Sequence, residues 1–252
     1  MTRIRVATYN VHSGRGIDGR FKPERVSAVI AELRADVIAL QEYVSLVADF
    51  DMRDHLMRAT GFQMVAMSTM RAGAGHFGNA VLSRWPIVDA VEHKLDVGKY
   101  EPRGALEVAI GRDRRELRVI ATHLGLHVAE RRDQLARLLD IVRRDASTPT
   151  VLAGDFNVVR GRGSELRGCH DHFGHSDAPR TFPSIAPLLA LDRVWVTPCS
   201  ALVSIEAHRS RLARIASDHL PVVPRWICRK PRVDARRVDP HTSSSRPSPG
   251  RR

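Results

Sequence analysis

Short apolar segments that stop at a single polar or acidic residue recur along most of this chain, and that pattern limits its fold more than any other feature. Ile4–Tyr9, Val37–Leu40, Phe62–Met67, Ala80–Ser83, Ile87–His93, Ala105–Ile110, Leu117–Thr122, Thr150–Ala153, Arg193–Val196, Ala201–Glu206 and Leu220–Trp226 are rich in β-branched or other apolar residues and have strand length. Helical spacing is rarer. Glu24–Arg34 places Val26, Val29, Ile30 and Leu33 on one face behind Pro23, and Ala129–Arg144 does the same with Leu135, Leu138, Leu139 and Val142 before Pro149. Roughly ten strands with two or three helices predict two packed sheets covered by helices, because one open sheet of that width would strain its twist. No internal repeat is present, so a single α/β domain is expected over residues 1–228.

With 252 residues, 43% of them apolar, the chain can fill a sizeable core, which excludes a fibrous or wholly disordered protein. Forty Lys and Arg against 28 Asp and Glu leave a net charge of +12, which favours an anionic partner without naming it. Arg229–Arg252 holds eight Lys and Arg against Asp234 and Asp239, half of that net charge, in a Pro, Ser and Gly-rich context. This segment is expected to be a disordered basic tail over residues 229–252 that contacts polyanions. Cys169, Cys199 and Cys228 fit neither a disulfide framework nor a paired zinc site. No apolar run approaches the ~20 residues of a membrane span, and no signal-peptide core is seen, so a soluble, cytoplasmic monomer is expected.

The residues at the strand ends carry the chemistry. Asn10 follows the first strand, Gln41 and Glu42 the second, His123 the segment ending at Thr122, and Asp155 and Asn157 the segment ending at Ala153. Asp192 precedes one late strand, and Asp218 and His219 precede the last. Singly, each has an ordinary structural reading: Asn10 as a turn residue, Glu42 as a loop carboxylate, Ser217-Asp218-His219 as a cap. Together, at strand ends that share a rigid support, they read as one site. Glu42 and Asp218 are hard oxygen donors suited to Mg²⁺, with Asn10 and Asn157 supplying amide groups. His219 paired with Asp192 would have its tautomer fixed and its charged form favoured. Phosphoester cleavage needs such a set: an aimed water, charge stabilisation at the phosphorus oxygens and help for the leaving oxygen. The His-rich stretch Cys169–His175 is expected to be a solvated loop.

Tyr9-Asn10-Val11, Leu40-Gln41-Glu42, Ser83-Arg84-Trp85-Pro86, Thr122-His123-Leu124, Gly154-Asp155-Phe156-Asn157, Leu191-Asp192-Arg193 and Ser217-Asp218-His219-Leu220-Pro221, in that order, resemble the endonuclease/exonuclease/phosphatase superfamily. The resemblance spans about residues 3 to 226. It implies a DNase I-like four-layer α/β/β/α sandwich with a Mg²⁺-dependent phosphoesterase site, Mn²⁺ being a possible substitute. It implies Glu42 as principal metal ligand, with Asn10 and Asp218 in metal or phosphate contact. By the same resemblance Asp155 and Asn157 orient the attacking water, His219 held by Asp192 is the catalytic histidine, and His123 binds phosphate or assists the leaving group. Arg103 matches a phosphate-contacting arginine, and the general base stays open between aspartate and histidine. The chain departs from the abasic-site endonuclease branch, having Tyr9 where that branch carries Trp, and looks more like the small bacterial members.

The expected activity is a metal-dependent phosphodiesterase acting on nucleic acid. The alternatives are a hydrolase of inositol phosphates or phospholipid head groups, and a non-catalytic nucleic-acid-binding protein. With only 5% aromatic residues, there is little sign of stacking platforms for single strands.

Overall fold

The computed structural model describes residues 4–112, 115–159, 164–176, 178–198 and 202–226. In chain order its elements are β1 (Val6–Asn10), α1 (Pro23–Leu33), β2 (Val37–Val44), β3 (Leu46–Val47), β4 (Phe50–Asp51), α2 (Met52–Thr60), β5 (Gln63–Ala72) and β6 (Gly75–Ser83). They continue with β7 (Ile87–Lys94), β8 (Gly104–Arg112), β9 (Arg115–His123), α3 (Val128–Arg143), β10 (Thr150–Asp155), α4 (Arg167–Phe173), β11 (Asp192–Thr197), β12 (Leu202–Ala207), α5 (Ala213–Ala216) and β13 (Val222–Trp226). Cys199, Ala201, Cys228 and the expected basic tail lie outside the described residues.

Strands apolar on both faces must be covered on both faces, and the central strands of this chain are of that kind. In β2, Val37 and Ala39 enter the core between the sheets, while Ile38 and Leu40 enter the core beneath α1 and α2. In β9 and β10, Val119, Ala121, Val151 and Ala153 face the other sheet, while Ile120 and Leu152 pack with α3 and α4 residues such as Leu138 and Phe173. The result is a four-layer α/β/β/α sandwich. One sheet has the order β12-β13-β1-β2-β6-β5 and the other β11-β10-β9-β8-β7. Each is mixed, with one parallel pair at its centre, β1 with β2 and β9 with β10. Those parallel pairs bring the carboxyl ends of all four strands to one end of the sandwich, beside the N-terminal ends of the antiparallel β11 and β13.

Several elements differ from the sequence reading. Gln41 and Glu42 do not follow β2 but lie inside it, where the register with β6 shifts between Leu40 and Tyr43 and Glu42 takes φ +53°. This bulge aims a polar residue out of a buried strand without ending the pairing. β5 and β6 are longer than their apolar runs, because they continue as a hairpin through Gly75 and Gly78; a Cβ at Gly78 would lie 2.1 Å from the Met67 carbonyl oxygen. α2 was not expected. It buries only Met52 and Leu56, but Asp51 caps it by accepting from Asp54 N (2.9 Å), and Gly61 ends it in the left-handed region. The Cys169–His175 stretch is no solvated loop: α4 covers most of it, and Cys169 and Phe173, four residues apart, enter the core against Trp195. Ser83-Arg84-Trp85-Pro86 forms a turn, with Ser83 Oγ donating to Trp85 O (2.8 Å), at the end of the sandwich away from Glu42.

Candidate active site

Asn10, the last residue of β1, is fully buried, and its amide nitrogen joins the two sheets. Nδ2 donates to Glu42 Oε1 at 2.9 Å and to Asp155 Oδ2 at 3.1 Å. Glu42 is presented by the β2 bulge and Asp155 by the end of β10. Asp155 can occupy that position because Gly154 permits close approach of β9: a Cβ there would lie 1.9 Å from the Thr122 carbonyl oxygen.

Asp155 Oδ2 also faces two histidines, His219 Nε2 at 3.6 Å and His123 Nε2 at 3.7 Å. His219 Nδ1 donates to Asp192 Oδ2 at 2.8 Å, and Thr181 Oγ1 donates to the same oxygen at 2.5 Å. The ring packs against Phe182, with centroids 4.9 Å apart. Burial works to remove the His219 proton, but the Asp192 carboxylate and its hydrogen bond, helped by Asp155 and Asp218, outweigh it and push the group up to about 10.

His123, at the end of β9, is set differently. Arg103 Nη1, which can only donate, lies 3.1 Å from His123 Nδ1. Asn157 Nδ2, also a donor, lies 3.2 Å from His123 Nε2, so the ring stands between two donors, with Asp155 Oδ2 3.7 Å from Nε2. Burial, with Arg103 and His219 adding to it, outweighs Asp155 and brings His123 down to about 4. Asn157, at φ +52°, donates through Nδ2 to Leu124 O (2.9 Å) and receives on its Asp155-facing side a backbone tie, its own N–H donating to Asp155 Oδ1 at 2.9 Å. Arg103 stands behind His123: its Nη2 pairs with Glu101 at 3.1 Å, and among the described residues its buried Nε has no hydrogen-bond partner. The two histidines therefore hold opposite protonation states at neutral pH.

Asp218 is half-buried, its Oδ1 3.7 Å from His12 Nδ1. Burial pushes Glu42 above the ordinary carboxylate range and Asp218 adds to that, against the Asn10 hydrogen bond. Among the described residues neither carboxylate has a Lys or Arg partner. Two hard carboxylates, that of Glu42 raised by burial and by the charge of Asp218, stand beside a buried amide, a donor set that fits a divalent cation. Asp155, Asp192 and His219 also place one donor atom each within 4.8 Å of one another. In that trio, however, His219 Nδ1 is engaged by Asp192, as expected of a hydrogen-bonded pair rather than of two metal ligands.

Every residue expected at the site thus lies at this one end of the sandwich, with Arg103 reaching it through His123. Four more contribute that the sequence reading did not place there. Thr181 holds Asp192. Ser217 Oγ donates to Asn10 O at 2.8 Å and tethers the Asp218-His219 segment to β1. His12 faces Asp218. Asn79, opposite the β2 bulge, donates to Gly104 O at 2.9 Å and ties the two sheets together beside Arg103.

This sandwich with its cluster of strand-end acids, amides and histidines is of a known class: the chain belongs to the Endonuclease/Exonuclease/phosphatase family, whose profile matches residues 7–219 and whose members are phosphoester hydrolases. A relative from Escherichia coli K12, the uncharacterized protein YbhP, is 31% identical over 239 residues, covering 87% of this chain and 94% of its own. Among solved structures, an endonuclease/exonuclease/phosphatase from Beutenbergia cavernae is 26% identical, with a TM-score of 0.70 over 88% of this chain and 71% of that one. A mannosyl-6-phosphatase from Bacteroides thetaiotaomicron, at 17% identity, has the same fold, with a TM-score of 0.73 over 89% of this chain and all of that one (100%).

Proposed function

We propose that the protein is a Mg²⁺-dependent phosphodiesterase in which water attacks phosphorus in line. The observation that carries this reading is the position of Asp155, bridged to Glu42 through Asn10 and facing a charged and a neutral histidine at 3.6 and 3.7 Å. Glu42, Asp218 and Asn10 would hold the divalent ion, Mg²⁺ or in its place Mn²⁺. When bound, that ion supplies Lewis-acid polarisation of the phosphate and offsets its charge. Asp155, fixed by Asn10 and by the Asn157 N–H, takes the proton of the attacking water. His219, kept charged by Asp192, stabilises the negative charge that grows on the phosphorus oxygens. His123 binds a phosphate oxygen or assists the departing oxygen, and Arg103 and Asn157 are positioning residues that hold its ring from either side.

Nucleic acid as the substrate is supported by the net charge of +12, and half of that charge lies in residues 229–252, read as a basic tail outside the catalytic domain. The cation assignment is tested by calorimetric titration of Mg²⁺ and Mn²⁺ into wild type and Glu42→Gln. The variant is expected to bind at least tenfold more weakly with its circular dichroism unchanged; unaltered affinity removes Glu42 from the metal site.

A further inference from the structure

The end of the sandwich away from Glu42 is also shaped. Arg5 leads into β1, Asp36 leads into β2 and Arg84 follows β6. Their backbones are laced together: Asp36 N donates to Arg5 O at 2.7 Å, Arg5 N to Asp36 Oδ2 at 2.9 Å and Arg84 N to Asp36 O at 2.8 Å. Between them and the C-terminal ends of α1 and α2 lies a cavity of about 1020 Å³, at the top of the range usual for ligand sites.

The walls of this cavity are apolar and recessed: Ile30, Ala35 and Pro224 are buried, and Phe62 is half-buried. Its rim is cationic. Arg5, Arg34, Arg84 and Arg225, all exposed, line it against the single acid Asp36, a net charge of +3. Asp36 is already engaged by the Arg5 N–H and by Arg84 Nε at 3.6 Å. The Arg84 guanidinium lies over the Phe62 ring, 5.3 Å from its centroid, which holds it at the wall. Glu206 comes within 3.9 Å of Arg225, a pair so exposed that it holds little. Arg34 follows α1 at φ +47°, a position where glycine is unstrained and arginine is not, so the helix end gives no reason for a long cationic side chain there.

The rim is continuous with the charge of the C-terminal sequence. β13 is antiparallel to β1, so it runs away from the active site and ends at this end of the sandwich. Beyond it, residues 229–252 carry a net +6, and together with the rim they account for nine of the twelve net positive charges. Like charge excludes that segment, or a second copy of this chain, as the occupant of the cavity. Recessed walls exclude a flat bilayer, which meets the guanidinium groups and never reaches the apolar surface. A single nucleic-acid strand uses both features, with phosphates on the arginines and sugar and base faces on the walls. From Asp36 to Glu42 is six residues of extended chain, about 20 Å at ~3.3 Å per residue, so one long strand can occupy both ends of the molecule.

We propose that this cavity is a second, non-catalytic binding site for single-stranded nucleic acid, which holds the substrate strand while the opposite end cleaves it. The holding role rests on the phosphodiesterase reading; the binding site does not.

The test follows the fluorescence anisotropy of labelled oligothymidine titrated with the full-length protein in chelator over a range of salt, and then turnover of the same strand and of soluble bis(p-nitrophenyl) phosphate with Mg²⁺. Arg34→Gln, Arg84→Gln and Arg225→Gln together are expected to weaken binding at least tenfold. The slope of log K against log salt is expected to flatten by about 2, each phosphate contact on a single strand contributing roughly 0.7. KM for the strand is expected to rise at least tenfold, with kcat and turnover of the soluble diester unchanged. Arg143→Gln, Arg144→Gln and Arg167→Gln, which remove the same charge from the α3 and α4 layer, are expected to bind as wild type. Circular dichroism checks the fold of both variants, and the exposed single change Arg225→Glu is expected to weaken binding in the same direction if the triple variant does not fold. Wild-type affinity in the triple variant or in Arg225→Glu, equal weakening by both triple variants, or duplex bound in preference to the single strand overturns the site. Weakened binding with an unchanged KM overturns the holding role. Absence of all turnover contradicts the catalytic reading instead, and binding in chelator still decides the site.

Discussion

His219 shows how much one neighbour can decide. Its Nδ1 donates to a carboxylate that is itself 1% exposed, and the pair sits where Asp155 and Asp218 add further negative charge. A histidine pushed up to about 10 keeps its proton through neutral pH and gives it up only as pH rises through that value. Asp192→Asn removes the main counter-charge, so the His219 imidazole signals in NMR are expected to titrate well below the wild-type position, and kcat on a soluble phosphodiester is expected to fall by roughly 10²- to 10⁴-fold. An unchanged titration contradicts the pairing. Asn10, Glu42, Asp155 and His219 were legible as candidates because acids, amides and imidazoles at the ends of buried strands have few ordinary uses there. Thr181, Ser217 and Asn79 were not, since Ser, Thr and Asn are common throughout loops. What marks them is a tertiary contact: Ser217 reaches a carbonyl 207 positions away.

Elements are held in place by a second set of polar contacts. Arg118 of β9 bonds Glu107 of β8 through Nε and caps the C-terminal end of α3, donating to Ile141 O at 2.6 Å and Val142 O at 2.9 Å. Arg118→Met leaves Glu107 half-buried with one partner and frees two helix-end carbonyls, so chemical denaturation is expected to show a loss of about 3 kcal/mol. Burial alone would raise Glu107, but Arg118 and His93 outweigh it and hold it below the ordinary value of 4.5. Its contribution is therefore complete above pH 4.5 and is lost as pH falls through its own lower value. Wild-type stability is expected to drop more than that of Glu107→Gln across that acid range. At α2, Asp51→Ala removes the cap on Asp54 N and is expected to cost about 1 kcal/mol. The helix escaped the sequence reading because two buried residues make a weak stripe, although the cap and Gly61 mark both ends. The β2 bulge escaped it because Gln41 and Glu42 interrupt the apolar run, and only pairing with β6 shows that the strand goes on.

At the scale of the whole molecule, the sandwich was the most legible feature. Strands such as Val37–Leu40 and Val119–Ala121 are apolar at every position, which requires cover on both faces and so two sheets between two helical layers. What the pattern of strands does not encode is which ends meet; the two central parallel pairs decide that, and they gather positions from 10 to 219 at one end. The central claim is that this gathered set hydrolyses a phosphodiester with a divalent cation. It is tested most directly by the turnover of soluble bis(p-nitrophenyl) phosphate, measured with Mg²⁺ or Mn²⁺ and after chelation, for the full-length protein and for Asp155→Asn. The account predicts turnover that requires the cation, disappears on chelation, and falls by roughly 10²- to 10⁴-fold in the variant. Turnover indifferent to chelation, or a variant as fast as wild type, would contradict it.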